Sequence, residues 1–173
     1  VRKGASLDQL VLDHLPAALR FATRLTGDPH RAEELVQEAL LRVVRRFATF
    51  RGDAAFRTWF FRIVINVFRD RLGAARADDI SLDENRQDLI DPAGSGPPEA
   101  AMATELAELI AHEVSHLPPR QREVLILFTF ESLSVGEVAE AVGISEANVY
   151  STLSAARARL KTRLAPYLGS VET

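Results

Sequence analysis

The chain contains no cysteine, and only one tryptophan, one methionine and two tyrosines among its 173 residues. Without cysteine there is no disulfide framework and no thiolate metal site, a composition suited to a reducing compartment. No apolar run approaches the roughly 18 residues needed to cross a bilayer, and the opening VRKGASLDQL lacks the apolar centre of a signal peptide. A cytoplasmic protein without membrane insertion is therefore expected. Histidine is equally scarce: His14, His30, His112 and His116 are the full set. The run HEVSH matches the HExxH spacing of a zinc site, yet no third ligand is evident in the sequence, so neither a metal, a cofactor nor a catalytic residue is assigned. The expectation is a protein that is not an enzyme.

What the chain has in quantity is charge, unevenly spread. Residues 1–76 carry 14 Lys plus Arg against 8 Asp plus Glu, residues 77–117 carry 1 against 10, and residues 118–173 carry 6 against 6. The balances of +6, -9 and 0 account for the net charge of -3. A basic first block suits a polyanion, whereas the acidic middle suits a basic surface.

The apolar residues recur at helical spacing almost throughout, which predicts an all-α chain. Leu7 to Leu25 reads as one helix. Thr26-Gly27-Asp28-Pro29 ends it and starts the next, with Asp28 as N-cap and Pro29 in the first turn. In that second helix Leu35, Val36, Ala39, Leu40 and Val43 form a stripe, leaving Glu33, Glu34, Gln37 and Glu38 largely outside it. Thr49 to Asp53 is a break, after which Asp53 is expected to cap a helix from Ala54 to Ala75, roughly 33 Å long. Residues 77–99 are acidic, lack aromatics and end in a Gly/Ser/Pro cluster, the composition of a flexible linker. Extended, such a segment reaches at most about 75 Å, so the flanking modules could lie more than one DNA turn apart. The expected division is 1–76, 77–99 and 100–173.

Two stretches carry the functional signal. Arg46 to Phe61 holds six of the twelve Phe, Trp and Tyr residues around an Arg-Gly-Asp turn. Phe56, Phe60, Ile63, Val64 and Val67 form the core stripe of the third helix, with Trp59 beside it. Phe50 falls in the break, and Phe61 lies off the stripe. Nearer the end, SVGEVAEAVGISEANVYSTL has the spacing of a helix-turn-helix: Ala139 lets two helices approach, Gly143 permits the turn, Ser145 caps the second helix, and Val138, Val142, Ile144, Val149 and Leu153 make a small core. An ordinary helical hairpin is the competing reading, and a helix-turn-helix regulator acting without polymerase is the competing function.

Together these stretches resemble the extracytoplasmic-function (ECF) group of the sigma-70 family. AEELVQEALLRVVRRFATFRGDAAFRTWFFRIVIN resembles region 2, LPPRQREVLILFTFESLSVGEVAEAVGISEANVYSTLSAARARL resembles region 4, and the acidic segment resembles the linker between them. The resemblance implies two small helical domains that bind core RNA polymerase, recognise the -10 and -35 promoter elements and assist DNA melting. An anti-sigma factor is implied as a further partner. Core polymerase would dock on Glu33, Glu34, Gln37 and Glu38. The -10 element would meet Phe50, Arg51, Asp53, Arg57, Phe61, Arg62, Asn66 and Arg69: rings for an unpaired base, arginines for phosphates and Asn66 for a base edge. The -35 element would meet Ser145, Glu146, Asn148, Tyr150, Ser151, Ser154 and Arg157. In one respect the chain departs from the family pattern: three commonly basic positions of the recognition helix are Tyr150, Thr152 and Ala155, which implies a weaker grip on the phosphate backbone.

Overall fold

The computed structural model describes residues 6–50, 55–78 and 98–168. Among these residues the chain is helical, with no strand: α1 (Leu7–Thr26), α2 (Pro29–Arg46), a 3-10 turn (Phe47–Thr49), α3 (Phe56–Asp78), α4 (Pro98–Ser115), α5 (Pro119–Thr129), α6 (Val135–Val142) and α7 (Glu146–Leu168). The third helix starts two residues after the expected Ala54 and runs three past Ala75. Its expected cap Asp53, together with Arg51, lies outside the described residues, as does most of the acidic segment.

The joint between α1 and α2 forms for the local reasons anticipated, and Ser6 adds a cap that was not. The Ser6 side chain accepts from the Gln9 amide at the start of α1, and Gly27 ends that helix at φ 73° with its N–H donating to the Thr23 carbonyl. Asp28 then accepts from the Arg31 amide at 2.9 Å, with Pro29 occupying the first turn of α2. Pro16 lies inside α1 without ending it.

Helices α1, α2 and α3 pack together, and α5, α6 and α7 form a second group. The first is filled by Phe21, Leu25, Leu35, Val36, Ala39, Val43, Phe56, Phe60, Val64 and Val67, and the second by Val124, Leu127, Val138, Val142, Val149, Leu153 and Ala156, all buried. The two groups then pack on each other, α3 against α6 and α1 against α4 and α5, so that one apolar core runs through both. A linker long enough to let the modules separate was expected; here the modules meet face to face.

The reason lies in α3. Besides the expected stripe, Phe61, Ile65 and Phe68 recur at i, i+4 and i+7 and are also buried. Phe61 meets Phe21 of α1 at 4.8 Å between ring centroids, and the Arg122 guanidinium of α5 lies over Phe68. A helix apolar on two faces needs two covers. Each such side chain is worth about 1.5–3 kcal/mol when fully buried rather than exposed.

Candidate nucleic-acid and polymerase interface

Three surfaces carry the candidate residues. On α2, Glu33, Glu34 and Gln37 are exposed and Glu38 is half-buried, so the four share one rim outside the core stripe. Glu38 is bound by Arg42 at 2.7 Å and Arg71 at 3.1 Å, and Arg71 also reaches Glu34 at 3.4 Å. Desolvation pushes the Glu38 carboxyl upward, but the Arg42 and Arg71 hydrogen bonds outweigh it and hold the group below its ordinary value. Glu33 and Gln37 have no such hydrogen bond to a described side chain. The rim is thus a partly neutralised acidic face, with Glu33 and Glu34 its most available charges.

The second surface is the start of α3 and the turn before it. Phe50 was expected to be a loop ring with no helical reason for burial. Instead it is half-buried, stacked on Phe47 (6.1 Å), edge-on to Phe56 (5.7 Å) and beside Trp59 (5.0 Å). The 3-10 turn explains this: the Phe50 amide donates to the Phe47 carbonyl at 3.0 Å, folding the ring back onto the helix. Phe61, expected to be able to stack on a base, is 1% exposed and is a core residue in this conformation.

Along α3, Arg62 is exposed and Asn66 half-exposed. Arg57 and Arg69, expected as phosphate contacts, are occupied. Arg57 donates to both the carboxylate and the carbonyl of Glu131, each at 2.8 Å. Arg69 makes a two-pronged pair with Glu123 at 2.9 and 2.5 Å and donates to the Val142 carbonyl at 3.1 Å. Glu131 also receives Arg24 of α1 at 3.4 Å. Both glutamates are buried, so their charges require these cations. Sequence reading missed Glu123, Glu131, Arg24, Ile65 and Phe68. The one local signal was the i, i+4, i+7 spacing of Phe61, Ile65 and Phe68; nothing local marks the glutamates.

The third surface is the helix-turn-helix. Ser134 and Glu137 close a reciprocal capping box at the start of α6, and Gly143 ends it at φ 75°. The Ser145 hydroxyl accepts from the Asn148 amide at 3.2 Å, the cap expected for α7. Val138, Val142, Val149 and Leu153 are buried between the two helices, with Ile144 partly so. That inward row leaves Ser145, Glu146, Asn148, Tyr150, Ser151, Ser154 and Arg157 exposed together along the opposite side of α7. Tyr150 is 62% exposed, the largest side chain of that row's first turns. Arg157 leans over the Phe128 ring at 5.8 Å, and Arg163 pairs with Glu113 of α4.

His112 and His116 stand 4.3 Å apart by ring centroid, but no cluster of three or more metal-ligating side chains exists among the described residues. No described helix is long and apolar enough to cross a membrane.

A three-helix module with an acidic rim, joined to a helix-turn-helix with an open reading row, defines a helical transcription factor. Residues 10–77 match Sigma-70 region 2, and residues 107–160 match Sigma-70, region 4. The chain is 31% identical to the RNA polymerase sigma-H factor of Pseudomonas aeruginosa over 94% of this chain and 88% of that one. It is also 31% identical to the ECF RNA polymerase sigma factor SigE of Mycolicibacterium smegmatis, where it spans 94% of this chain and 63% of the relative. Among solved structures it resembles the sigma factor RpoE of Bartonella quintana, in complex with the anti-sigma factor NepR, at a TM-score of 0.70 and 26% identity, covering 96% and 98% of the two chains. CnrH in complex with the cytosolic domain of CnrY aligns at a TM-score of 0.66 and 26% identity, covering 92% and 87%. The chain belongs to the ECF group of the sigma-70 family of RNA polymerase sigma factors.

Proposed function

We propose that this chain directs core RNA polymerase to specific promoters through residues 1–76 and 100–173, with 77–99 as the tether between them. The observation that carries the reading is the exposed row on α7, which follows a capped, glycine-ended α6 in the arrangement that presents a helix to a major groove. Ser145, Glu146, Asn148, Tyr150, Ser151, Ser154 and Arg157 are the residues assigned to the -35 element. Phe50, Arg51, Asp53, Arg57, Arg62, Asn66 and Arg69 are assigned to the -10 element; Phe61 supports them from the core rather than by touching a base. The exposed Glu33, Glu34 and Gln37, with Glu38, form the polymerase-docking face. The protein works in the cytoplasm as a specificity subunit without catalysis of its own. Because RpoE was solved in complex with the anti-sigma factor NepR, an anti-sigma factor is proposed here too.

Run-off transcription with core polymerase and a promoter library tests the assignment. Addition of the chain should produce start sites absent from core alone. Glu33→Lys/Glu34→Lys should weaken core binding while leaving the thermal melt unchanged, since neither carboxylate is buried. Core polymerase that binds the double variant as tightly as the parent would remove the docking face from the proposal.

A further inference from the structure

One cleft lies outside the three surfaces described. The end of α4, the joint to α5 and the last turns of α7 enclose about 410 Å³, within the range of about 300–1,000 Å³ typical of small-molecule sites. Its walls differ in kind. Leu117 and Pro118 of the joint are apolar, whereas Arg159 and Arg163 bring two guanidiniums from one face of α7 and His116 brings an imidazole from α4. Like charges at i, i+4 repel along a helix, so this placement works against α7 until an anion lies between them. The two arginines are not equally engaged. Arg163 pairs with Glu113, whose side chain is 8% exposed, and that pair fixes Arg163 at the edge of the cleft. Arg159 is exposed and has no carboxylate partner among the described residues. The His116 Nδ1–H donates to the His112 carbonyl at 2.8 Å, which leaves Nε2 for a ligand.

We propose that this cleft binds a small phosphate ester with a flat apolar body, the chemistry of a nucleoside diphosphate. Arg159 and Arg163 hold the phosphates, because planar guanidiniums match phosphate oxygens in geometry as well as charge. His116 Nε2 accepts a sugar hydroxyl, and Leu117 with Pro118 lies against the base. No residue of the cleft belongs to α2, to α3 or to the α7 reading row, which ends at Arg157. The site therefore goes beyond the promoter-directing role and stands without it. A bound nucleotide ties the end of α4 to α7, and by binding the folded chain alone it raises thermal stability.

Calorimetric titration of the full chain with ADP and with adenosine, paired with thermal melts, tests the site. ADP should bind once per chain and raise the melting temperature, and adenosine should bind at least about tenfold more weakly, since the phosphates carry the recognition. Arg159→Gln should weaken ADP at least about tenfold. Lys161→Gln removes a charge that is equally exposed on α7 but outside the cleft, and should change the affinity less than about twofold. Ala158→Trp fills the cleft without altering charge; it should abolish binding and leave the melt of the ligand-free chain near that of the parent, because Ala158 is exposed. Duplex promoter DNA should leave ADP affinity unchanged. Equal weakening by the two charge variants would mean diffuse attraction of a counterion, and ADP affinity retained in Ala158→Trp would put the ligand elsewhere. Displacement of ADP by the duplex would assign these arginines to the DNA backbone. Any of these three results overturns the site, as does ADP that alters neither the calorimetric trace nor the melt of the parent. None of these titrations contains polymerase, so a failure of the chain to direct transcription would sink the functional reading and leave the cleft to be decided by ADP binding.

Discussion

Phe60 and Phe50 share a ring cluster but not a burden. Phe60 is wholly buried and touches Phe56 at 5.9 Å, so Phe60→Ala should cost about 3–5 kcal/mol of folding stability, read from denaturant unfolding. Phe50 is half-buried against three rings. Phe50→Ala should therefore lose less folding stability than Phe60→Ala and, in addition, about 1–3 kcal/mol of open-complex stability, the worth of one base stacked on a ring. A Phe50→Ala chain that melts like Phe60→Ala and initiates normally would place the ring in the core alone. The role of Phe60 was legible from its i, i+4 partnership with Phe56. The folding back of Phe50 was not, because a 3-10 turn leaves no periodic signature in three residues.

At the scale of elements, local chemistry explains most of what could be read. The ends of α1 and α2, the glycine between α6 and α7, and the cap at Ser145 all depend on side chains within four residues of the atoms they satisfy. The α6 capping box makes a pH prediction. Hydrogen bonds from the Ser134 hydroxyl and amide lower the Glu137 carboxyl below its ordinary 4.5, against a smaller upward push from burial. Its contribution is thus complete above about pH 4.5 and is lost as acid protonates the folded-state carboxylate. Ser134→Ala should cost about 1 kcal/mol at neutral pH, and this difference from the parent should shrink in acid. Thermal melts at several pH values check it; a pH-independent difference would mean the glutamate arm of the box contributes nothing. Helix α3 shows where element reading ends. Its first apolar stripe matched one helical face and sufficed to place it in a three-helix group, so Phe61 looked surplus. The second face of that helix is covered in part by Phe21 of α1, which meets Phe61, and in part by elements distant in sequence, α6 and the Arg122 side chain of α5.

For the whole molecule, the all-α class followed from periodicity and turn residues, and the order of the two modules from the resemblance of the two stretches to regions 2 and 4 of the family. Their contact did not, because it depends on Glu123 and Glu131 meeting arginines 54 to 107 positions away. An ion pair of that separation has no local pattern, and nothing in the neighbouring sequence distinguishes either glutamate. A core running through both modules should unfold as one cooperative unit. Calorimetry of the parent should give a single transition whose calorimetric and van't Hoff enthalpies agree. In Glu123→Gln/Glu131→Gln the transition should broaden or divide as the modules uncouple. Two resolved transitions in the parent would show that the seam adds little to either module.

The ring cluster around Trp59 also has an optical consequence. Trp59 is the single indole of the chain and lies in the first module, whereas both tyrosines, Tyr150 and Tyr167, are exposed on α7. Selective indole excitation therefore records the first module alone. With Phe50 only 5.0 Å away, a rearrangement of the turn or a nucleobase stacking there should change the emission of an unlabelled, unmutated chain. Titration of the chain with pre-melted promoter DNA should show that change in Trp59 emission, and an unaltered emission would leave the ring cluster without a stacked base.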